Sequence, residues 1–163
     1  FDCDGQPGVR ALRQLHEEQI MKKVLLASLL VFSGSVLAAD HEVKMLDSGK
    51  DGGMVFEPGF VKAEVGDTVT FIPTHKGHWV QSRAIPEGAE KFLSKENEKF
   101  SLTLTHEGVY VYVCPPHRMM NMSGIIQVGK PINLENATKE IEKIEKRTTE
   151  NKGRLFEYLD QVK

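Results

Sequence analysis

A short stretch in the C-terminal half of the chain gathers residue types that bind soft metal ions. Cys114, His117 and Met122 have the spacing C-x2-H-x4-M, in a loop between two predicted strands, and His78 lies upstream at the start of another predicted strand. One thiolate, two imidazoles and a weak axial thioether form the ligand set of a blue-copper electron-transfer site. The sequence therefore predicts a single type 1 copper ion, with these four residues as the candidate ligands.

Two neighbouring residues compete for these roles. His75 lies near His78 in THKGH (74–78), and Met120 stands at the shorter spacing C-x2-H-x2-M. The apolar Val80 beyond His78 favours His78 as the buried ligand. Ligand chemistry alone allows either methionine sulfur, so this choice stays open at the level of the residues.

The N-terminal part of the chain has the plan of an export signal. Met21 is followed by two lysines, an apolar run over 24–32 and small residues ending near Ala39. This pattern predicts a secretory signal peptide over 21–38, and its apolar run is too short to remain in a bilayer. Residues 1–20 precede this start and are interpreted as an upstream extension that is not native.

Removal of the leader changes the cysteine count and leaves the charge unchanged. Of two cysteines, Cys3 would be lost, so Cys114 would be an unpaired thiol, an intermolecular cross-link or a ligand. The 21 Lys and Arg residues nearly balance the 23 Asp and Glu residues, for a net charge of −2. Nothing in this balance suggests a nucleic-acid partner, and no second apolar stretch is long enough to span a membrane.

The remaining chain alternates short apolar segments with turn signals. Strands are predicted at 41–46, 54–58, 60–65, 67–72, 77–82, 98–105, 109–114 and 123–128. This spacing predicts an all-β sandwich over 39–130. Segments 98–105 and 109–114 are expected to form a hairpin, and 109–114 to be a central strand because it is apolar on both faces. Over 131–163, apolar residues at helical spacing predict two helices that pack on the sandwich.

Longer motifs give this pattern a family resemblance. EVKML (42–46), MVFEPGF (54–60), VGDTVTFIP (65–73), KGH (76–78), IPEGAEKF (85–92) and CPPH (114–117) resemble the pseudoazurins, type 1 copper proteins of the cupredoxin superfamily. The resemblance implies a Greek-key β-sandwich of about eight strands with two C-terminal α-helices. It also implies His78, Cys114, His117 and Met122 as copper ligands, and favours Met122 over Met120 through the loop length.

The resemblance further implies a function and its partners. Family members shuttle single electrons in the periplasm to copper nitrite reductase and related redox proteins such as c-type cytochromes, and a monomer is expected. His117 is implied to be the ligand nearest to solvent, inside a docking surface that here consists of Met54, Pro73, Lys76, Pro116, Arg118 and Met120. Lysines around such a surface steer acidic partners and raise the rate of encounter more than the affinity.

Three departures from the family pattern affect the surroundings of the site. Trp79 replaces an asparagine that ties the ligand loops together, although its backbone N–H is still expected to donate to the Cys114 sulfur. Val113 replaces a lysine before the cysteine, and Arg118 replaces an aromatic residue beside the exposed histidine. Segment 79–84 is also about two residues shorter than its counterpart. These changes bear on the potential and on partner choice more than on copper binding.

Two other functions compete with electron transfer. A copper-binding or copper-delivery protein would hold the metal without redox partners, and such proteins tend to use open Met/His clusters. A small redox enzyme would need a general base beside an open metal position, and the sequence offers no candidate. The expected protein is therefore a carrier and not an enzyme.

Overall fold

The computed structural model describes residues 37–163. The predicted extension (1–20) and all but the last two residues of the predicted signal peptide (21–38) lie outside the described residues. Residues Ala38–Lys163 form one compact unit. No helix within the described part is long and apolar enough to cross a membrane.

Eight strands form two four-stranded sheets. The strands are β1 (Asp40–Gly49), β2 (Gly52–Glu57), β3 (Phe60–Ala63), β4 (Thr68–Pro73), β5 (Gln81–Ala84), β6 (Phe100–Thr103), β7 (Gly108–Val113) and β8 (Ser123–Val128). The first sheet has the order β2-β1-β4-β6 and the second the order β3-β8-β7-β5. The pairs β1/β4 and β3/β8 are parallel and the others are antiparallel. The predicted cupredoxin sandwich of about eight strands is confirmed.

Strand β7 contributes side chains to the hydrophobic cores on both faces of the second sheet. Successive side chains of a strand point to opposite faces, and all six residues of β7 are buried. Tyr110 and Tyr112 belong to the core between the two sheets, whereas Val109, Val111 and Val113 belong to a second core under the helices. This double burial confirms the central position predicted for the segment 109–114.

Two helices cover the outer face of the second sheet. Helix α1 spans Leu134–Arg147 and helix α2 spans Arg154–Leu159. Ala137, Ile141, Ile144, Leu155 and Tyr158 are the helical residues that pack against the valines of β7 and Ile125 of β8. Because the apolar stripe of each helix meets the apolar outer face of the sheet, the helices and the second sheet share one core.

Two expectations about strands are wrong. Segments 98–105 and 109–114 do not form a hairpin, because β6 pairs with β4 in the first sheet and β7 pairs with β5 and β8 in the second. The chain crosses between the sheets at this point, and sequence proximity alone suggested a local pairing. The strand predicted at 77–82 begins only at Gln81, because residues 74–80 form the turn and the extended segment that carry His78.

Candidate metal centre

Cys114 follows directly after the last residue of β7. It continues the side of the strand taken by Tyr110 and Tyr112, so its side chain joins the core between the sheets and is completely buried. Its backbone N–H donates to the carbonyl of Met122, at 2.8 Å, just before β8 begins. Regular strand pairing therefore fixes the position of the sulfur.

A 3-10 helix over Pro115–Met120 carries His117. The two prolines stand at its first positions, where their fixed φ suits a helix and the missing N–H costs no hydrogen bond. The turn ends at Asn121 in the left-handed conformation (φ 53°, ψ 40°), which asparagine tolerates better than most residues. The N–H of Met122 then donates to the His117 carbonyl at 3.2 Å, so the loop folds back on itself beside Cys114.

His78 lies in the segment between β4 and β5 and is completely buried. The preceding residue, Gly77, has φ +85°, a conformation that glycine adopts without strain. The side-chain oxygen of Asn97 accepts the N–H of Gly77 at 2.6 Å. The N–H of Asn97 in turn donates to the carbonyl of His78 at 3.0 Å. Asn97, which the sequence analysis did not identify, thus holds the backbone on both sides of His78 through two hydrogen bonds.

These three segments bring one sulfur and two ring nitrogens together. His78 Nδ1 lies 3.2 Å from His117 Nδ1. Cys114 Sγ lies 3.8 Å from His78 Nδ1 and 3.5 Å from His117 Nδ1. All three atoms fall within 4.8 Å of one another, and they form the one group of His, Cys, Asp and Glu ligand atoms with metal-site spacing within residues 37–163.

The spacing of these donor atoms suits one metal ion. Bonds from a metal ion to imidazole nitrogen and thiolate sulfur are about 2.0–2.3 Å long, so two such donors on one ion lie about 3.3–3.8 Å apart. The three observed separations fall in or next to this range without movement of the backbone. The donor set also has the softness that suits copper.

Burial shifts the pKa values of two candidate ligands, Cys114 and His117. It raises the pKa of the Cys114 thiol to about 11, against the opposing effect of hydrogen bonds from the backbone N–H groups of Trp79 and His117. The direction of this Trp79 effect is the one expected from its backbone N–H near the sulfur. Burial and the neighbouring His78 ring lower the pKa of His117, which keeps its ring neutral and able to bind a metal at neutral pH.

The two competing histidines occupy different surroundings. The His75 side chain is 44 % exposed, and its Nδ1 accepts the backbone N–H of Asp47 at 2.9 Å. The buried His78 directs Nδ1 toward Cys114 and His117, while its Nε2 lies 2.8 Å from Asp47 Oδ1. His75 is therefore outside the cluster of donor atoms.

The two competing methionines also differ in how deeply their side chains are buried. Met122 is completely buried in the same core cluster as Cys114. Met120 is half-buried, and its carbonyl accepts a hydrogen bond from the Asn151 side chain at 2.8 Å. Met119 is 53 % exposed. Of the three, only Met122 shares the buried end of the sandwich with the other candidate ligands.

A buried carboxylate ties the ligand loop to the helices. Glu145 of α1 accepts one hydrogen bond from the Asn121 side chain at 2.8 Å and another from the Leu155 N–H at 2.9 Å. Its second oxygen accepts the N–H of Gly153 at 2.7 Å. Because Asn121 immediately precedes Met122, this carboxylate links the loop to both helices.

Arg154 at the start of α2 completes this buried network. Its guanidinium donates to the carbonyls of Met54 (2.7 Å), Asn121 (2.8 Å), Asp51 (2.9 Å) and Gly53 (2.9 Å). The network therefore joins the β1–β2 turn and the start of β2 to the ligand loop and the C-terminal helices. No local signal in the sequence marks Arg154 or Glu145 as buried.

The residues predicted for docking are mostly accessible. Lys76, Pro116 and Arg118 are exposed, and Met54, Pro73 and Met120 are half-buried. The His117 side chain is also half-buried, in contrast to the fully buried His78.

Comparison with known proteins agrees with this geometry. Residues 43–129 match the family described as copper binding proteins, plastocyanin/azurin family. The pseudoazurin of Paracoccus pantotrophus is 49 % identical over 114 residues, covering 68 % of this chain and 79 % of that protein.

Solved pseudoazurin structures share the fold. The one from Methylobacterium extorquens AM1 has a TM-score of 0.69 at 35 % identity, covering 76 % of this chain and 99 % of that one. The one from Hyphomicrobium denitrificans has a TM-score of 0.68 at 38 % identity, covering 76 % and 98 %. The chain therefore belongs to the plastocyanin/azurin family of copper-binding proteins, among its pseudoazurins, and is a blue-copper electron carrier.

Proposed function

We propose that this protein carries single electrons between periplasmic redox proteins, at one copper ion bound by His78, Cys114, His117 and Met122. The observation that carries the proposal is the group of three donor atoms within 4.8 Å of one another at the end of the sandwich. Copper, when bound there, supplies a one-electron Cu(I)/Cu(II) couple.

The protein contributes a fixed arrangement of donors. Cys114 is held by the pairing of β7 with β8, His117 by its 3-10 helix and His78 by Asn97, so each donor belongs to a different restrained segment. Small displacement of the donors between oxidation states keeps reorganisation small, which favours rapid electron transfer. The buried, closed arrangement also favours a carrier over a copper-delivery protein, and the carrier has no substrate turnover of its own.

His117 is the proposed route for electrons. It is the more accessible of the two histidines, and two of the predicted docking residues, Pro116 and Arg118, flank it in the chain. A partner that covers these residues would come close to His117 without contacting the buried Cys114.

The proposed partners are copper nitrite reductase and c-type cytochromes, and the proposed location is the periplasm. The relationship to pseudoazurins and the predicted signal peptide over 21–38 support both. We further propose that the mature protein comprises the sandwich over 39–130 and the helical segment over 131–163, and acts as a monomer.

Rapid mixing tests the carrier function. The reduced, copper-loaded protein is mixed with copper nitrite reductase and nitrite, and the absorption of the oxidised copper site is followed. Each molecule that gives one electron to the reductase should regain its colour, while nitrite is reduced to nitric oxide. As a control, another electron donor keeps the reductase turning over in the same mixture. If the reduced protein keeps its copper but stays colourless during many of these turnovers, the result would contradict this function.

A further inference from the structure

Asp47 contacts the one ring nitrogen of His78 that faces away from the donor cluster. His78 Nε2 lies 2.8 Å from Asp47 Oδ1, whereas Nδ1 lies 3.2 Å from His117 Nδ1. The His78 side chain is fully buried and the Asp47 side chain is 55 % exposed. The carboxylate thus reaches from the surface to a buried candidate ligand.

His75 and the backbone hold Asp47 in this position. The Asp47 N–H donates to His75 Nδ1 at 2.9 Å, and the His75 N–H donates to the Met45 carbonyl at 3.2 Å. His75, which does not join the donor cluster, therefore has a structural partner in the residue that contacts His78.

We propose that Asp47 is a positioning residue that fixes the His78 tautomer and lowers the reduction potential of the bound copper. A carboxylate at Nε2 keeps the proton on that nitrogen, which leaves the Nδ1 lone pair for the metal. It also makes the ring a stronger donor and adds negative charge nearby, both of which stabilise Cu(II) relative to Cu(I). This inference rests on the proposed copper ligation by His78.

Matched substitutions separate this effect from a change in net charge. Asp47→Asn keeps the shape and an acceptor oxygen but removes the charge, and Asp47→Ala removes the acceptor. Glu42→Gln is the control, because Glu42 is an exposed carboxylate on the same strand. Thermal unfolding of each variant verifies that it folds.

The midpoint potential is the main readout. We expect Asp47→Asn to favour Cu(I) over Cu(II) by about tenfold, which is about +59 mV for a one-electron couple, with a much smaller change in Glu42→Gln. Equal shifts in the two variants, or a fall in potential on Asp47→Asn, would overturn the proposal. A wild-type protein without a blue site would instead contradict the proposed function.

Nitrogen NMR of the copper-free protein gives a second readout. The wild-type His78 ring should carry its proton on Nε2, and Asp47→Ala should yield a mixture of the two tautomers. An unchanged tautomer in Asp47→Ala would show that Asp47 does not set it.

A separate feature, a pocket between the ligand loop and helix α1, carries a second inference. It has a volume of about 350 Å³, and its apolar surface comes from Val113, Pro115, Pro116, Met119 and Ile144. Four cations, Arg83, Arg118, Lys143 and Arg147, line it as well. We call it the loop–helix pocket.

The charges around the loop–helix pocket are unbalanced. Arg83 and Lys143 share one carboxylate, Glu140, at 2.7 Å and 3.3 Å. Arg118 and Arg147 have no carboxylate within 4.0 Å in residues 37–163. This excess of positive charge stands out in a chain whose net charge is −2.

We infer that the loop–helix pocket binds one apolar side chain of the redox partner, and that acidic residues flank this side chain in the partner. The apolar surface fits one aromatic side chain, and the cations fit the flanking acidic groups. Since Pro116 and Arg118 also belong to the predicted docking surface, a partner could occupy both at once. The inference thus extends the proposed partner binding onto helix α1.

A peptide probe tests this pocket without any electron transfer. The sequence Glu-Glu-Phe-Glu-Glu is titrated into the isotope-labelled protein, with Glu-Glu-Gly-Glu-Glu as the control peptide. Backbone NMR signals of Val113 and Ile144 should shift with the phenylalanine peptide only. Arg147→Glu should weaken this binding at least fivefold, and Lys146→Glu, an adjacent exposed lysine that does not line the pocket, much less.

Two results would overturn the inference. Equal weakening by Arg147→Glu and Lys146→Glu would mean that general charge alone attracts the peptide. Shifts confined to residues outside the pocket would mean that the apolar side chain binds elsewhere. Because the measurement uses no redox reaction, either result leaves the carrier function to its own test.

Discussion

At the scale of single residues, two methionines near the cysteine differ mainly in burial. Met122 is completely buried in the core that contains Cys114, and Met120 is half-buried at the surface. The axial ligand of a blue-copper site tunes its potential. The two thioethers should therefore respond very differently to the same substitution.

Met122→Leu should raise the midpoint potential and change the intensity ratio of the two thiolate-to-copper absorption bands. Leucine keeps the apolar volume but removes the sulfur, so the oxidised copper loses a weak donor. Met120→Leu is the control and should leave both quantities nearly unchanged. A larger effect from Met120→Leu than from Met122→Leu would assign the axial position to Met120.

The sequence predicted residue types better than their supporting contacts. Cys114, His117 and His78 were identifiable because few side chains have their chemistry and their spacing is recognisable. Asp47 lies beyond the end of the strand predicted at 41–46, yet β1 extends to Gly49 and carries Asp47 to His78. A hydrogen bond between residues 31 positions apart leaves no local pattern, so only the fold reveals it.

At the scale of elements, a single arginine joins three segments near the site. Arg154 is buried and donates to four backbone carbonyls, in the β1–β2 turn, the start of β2 and the ligand loop. Removing it would leave these four acceptors without their partner. Buried polar groups that lose their partners cost about 1–3 kcal/mol each.

Arg154→Met should therefore lower the free energy of unfolding of the copper-free protein by about 3 kcal/mol or more. Arg147→Met, at an exposed position on helix α1, should change it by less than about 0.5 kcal/mol. Urea unfolding followed by circular dichroism measures both. Similar values for the two variants would mean that the Arg154 network contributes little to stability.

Asp67, in the turn between β3 and β4, stabilises the first sheet through its carboxylate. It accepts the N–H groups of Ala39 (2.8 Å) and Glu64 (3.0 Å) and contacts His41 Nε2 at 2.9 Å. These hydrogen bonds, first the one from Glu64, lower the pKa of Asp67 to about 2 from 3.8. The charged form is thus favoured by the folded state.

The stability from Asp67 should be fully present above about pH 4 and be lost as the pH falls toward 2. Asp67→Asn should lower the melting temperature at neutral pH and flatten its decline between pH 4 and 2. The exposed carboxylate of Asp160 gives a matched control, Asp160→Asn. An Asp67→Asn curve parallel to the wild-type curve over that range would contradict this role.

Strand pairing was the part of the fold that local patterns predicted least well. Most predicted strands exist because alternating or continuous apolar residues indicate them directly. The hairpin expected between 98–105 and 109–114 is absent because β6 completes the first sheet beside β4. Apolar pattern identifies a strand, but the partner of that strand depends on contacts distant in sequence.

At the scale of the whole molecule, charge near the site should govern encounter with partners. Lys76 and Arg118 are exposed near His117, whereas Lys62 is exposed on β3 opposite Gln127, toward the far end of β8 from Met122. Charges that face a docking partner change the rate of association most at low ionic strength.

Lys76→Glu and Arg118→Glu should each slow electron transfer to an acidic partner, and the loss should shrink as salt is added. Lys62→Glu should slow it much less, although its change in net charge is the same. Stopped-flow rates measured at several ionic strengths test this difference. Equal rates for all three variants at low salt would place partner docking on another face.

The most direct test is the absorption spectrum of copper-loaded protein beginning at Ala39. A sulfur of Cys114 bound to Cu(II) together with His78 and His117 should give an intense thiolate-to-copper charge-transfer band toward the red end of the visible range, and Cys114→Ser should abolish it. A wild-type protein that binds one Cu(II) ion and remains nearly colourless would contradict the copper site on which the carrier function depends.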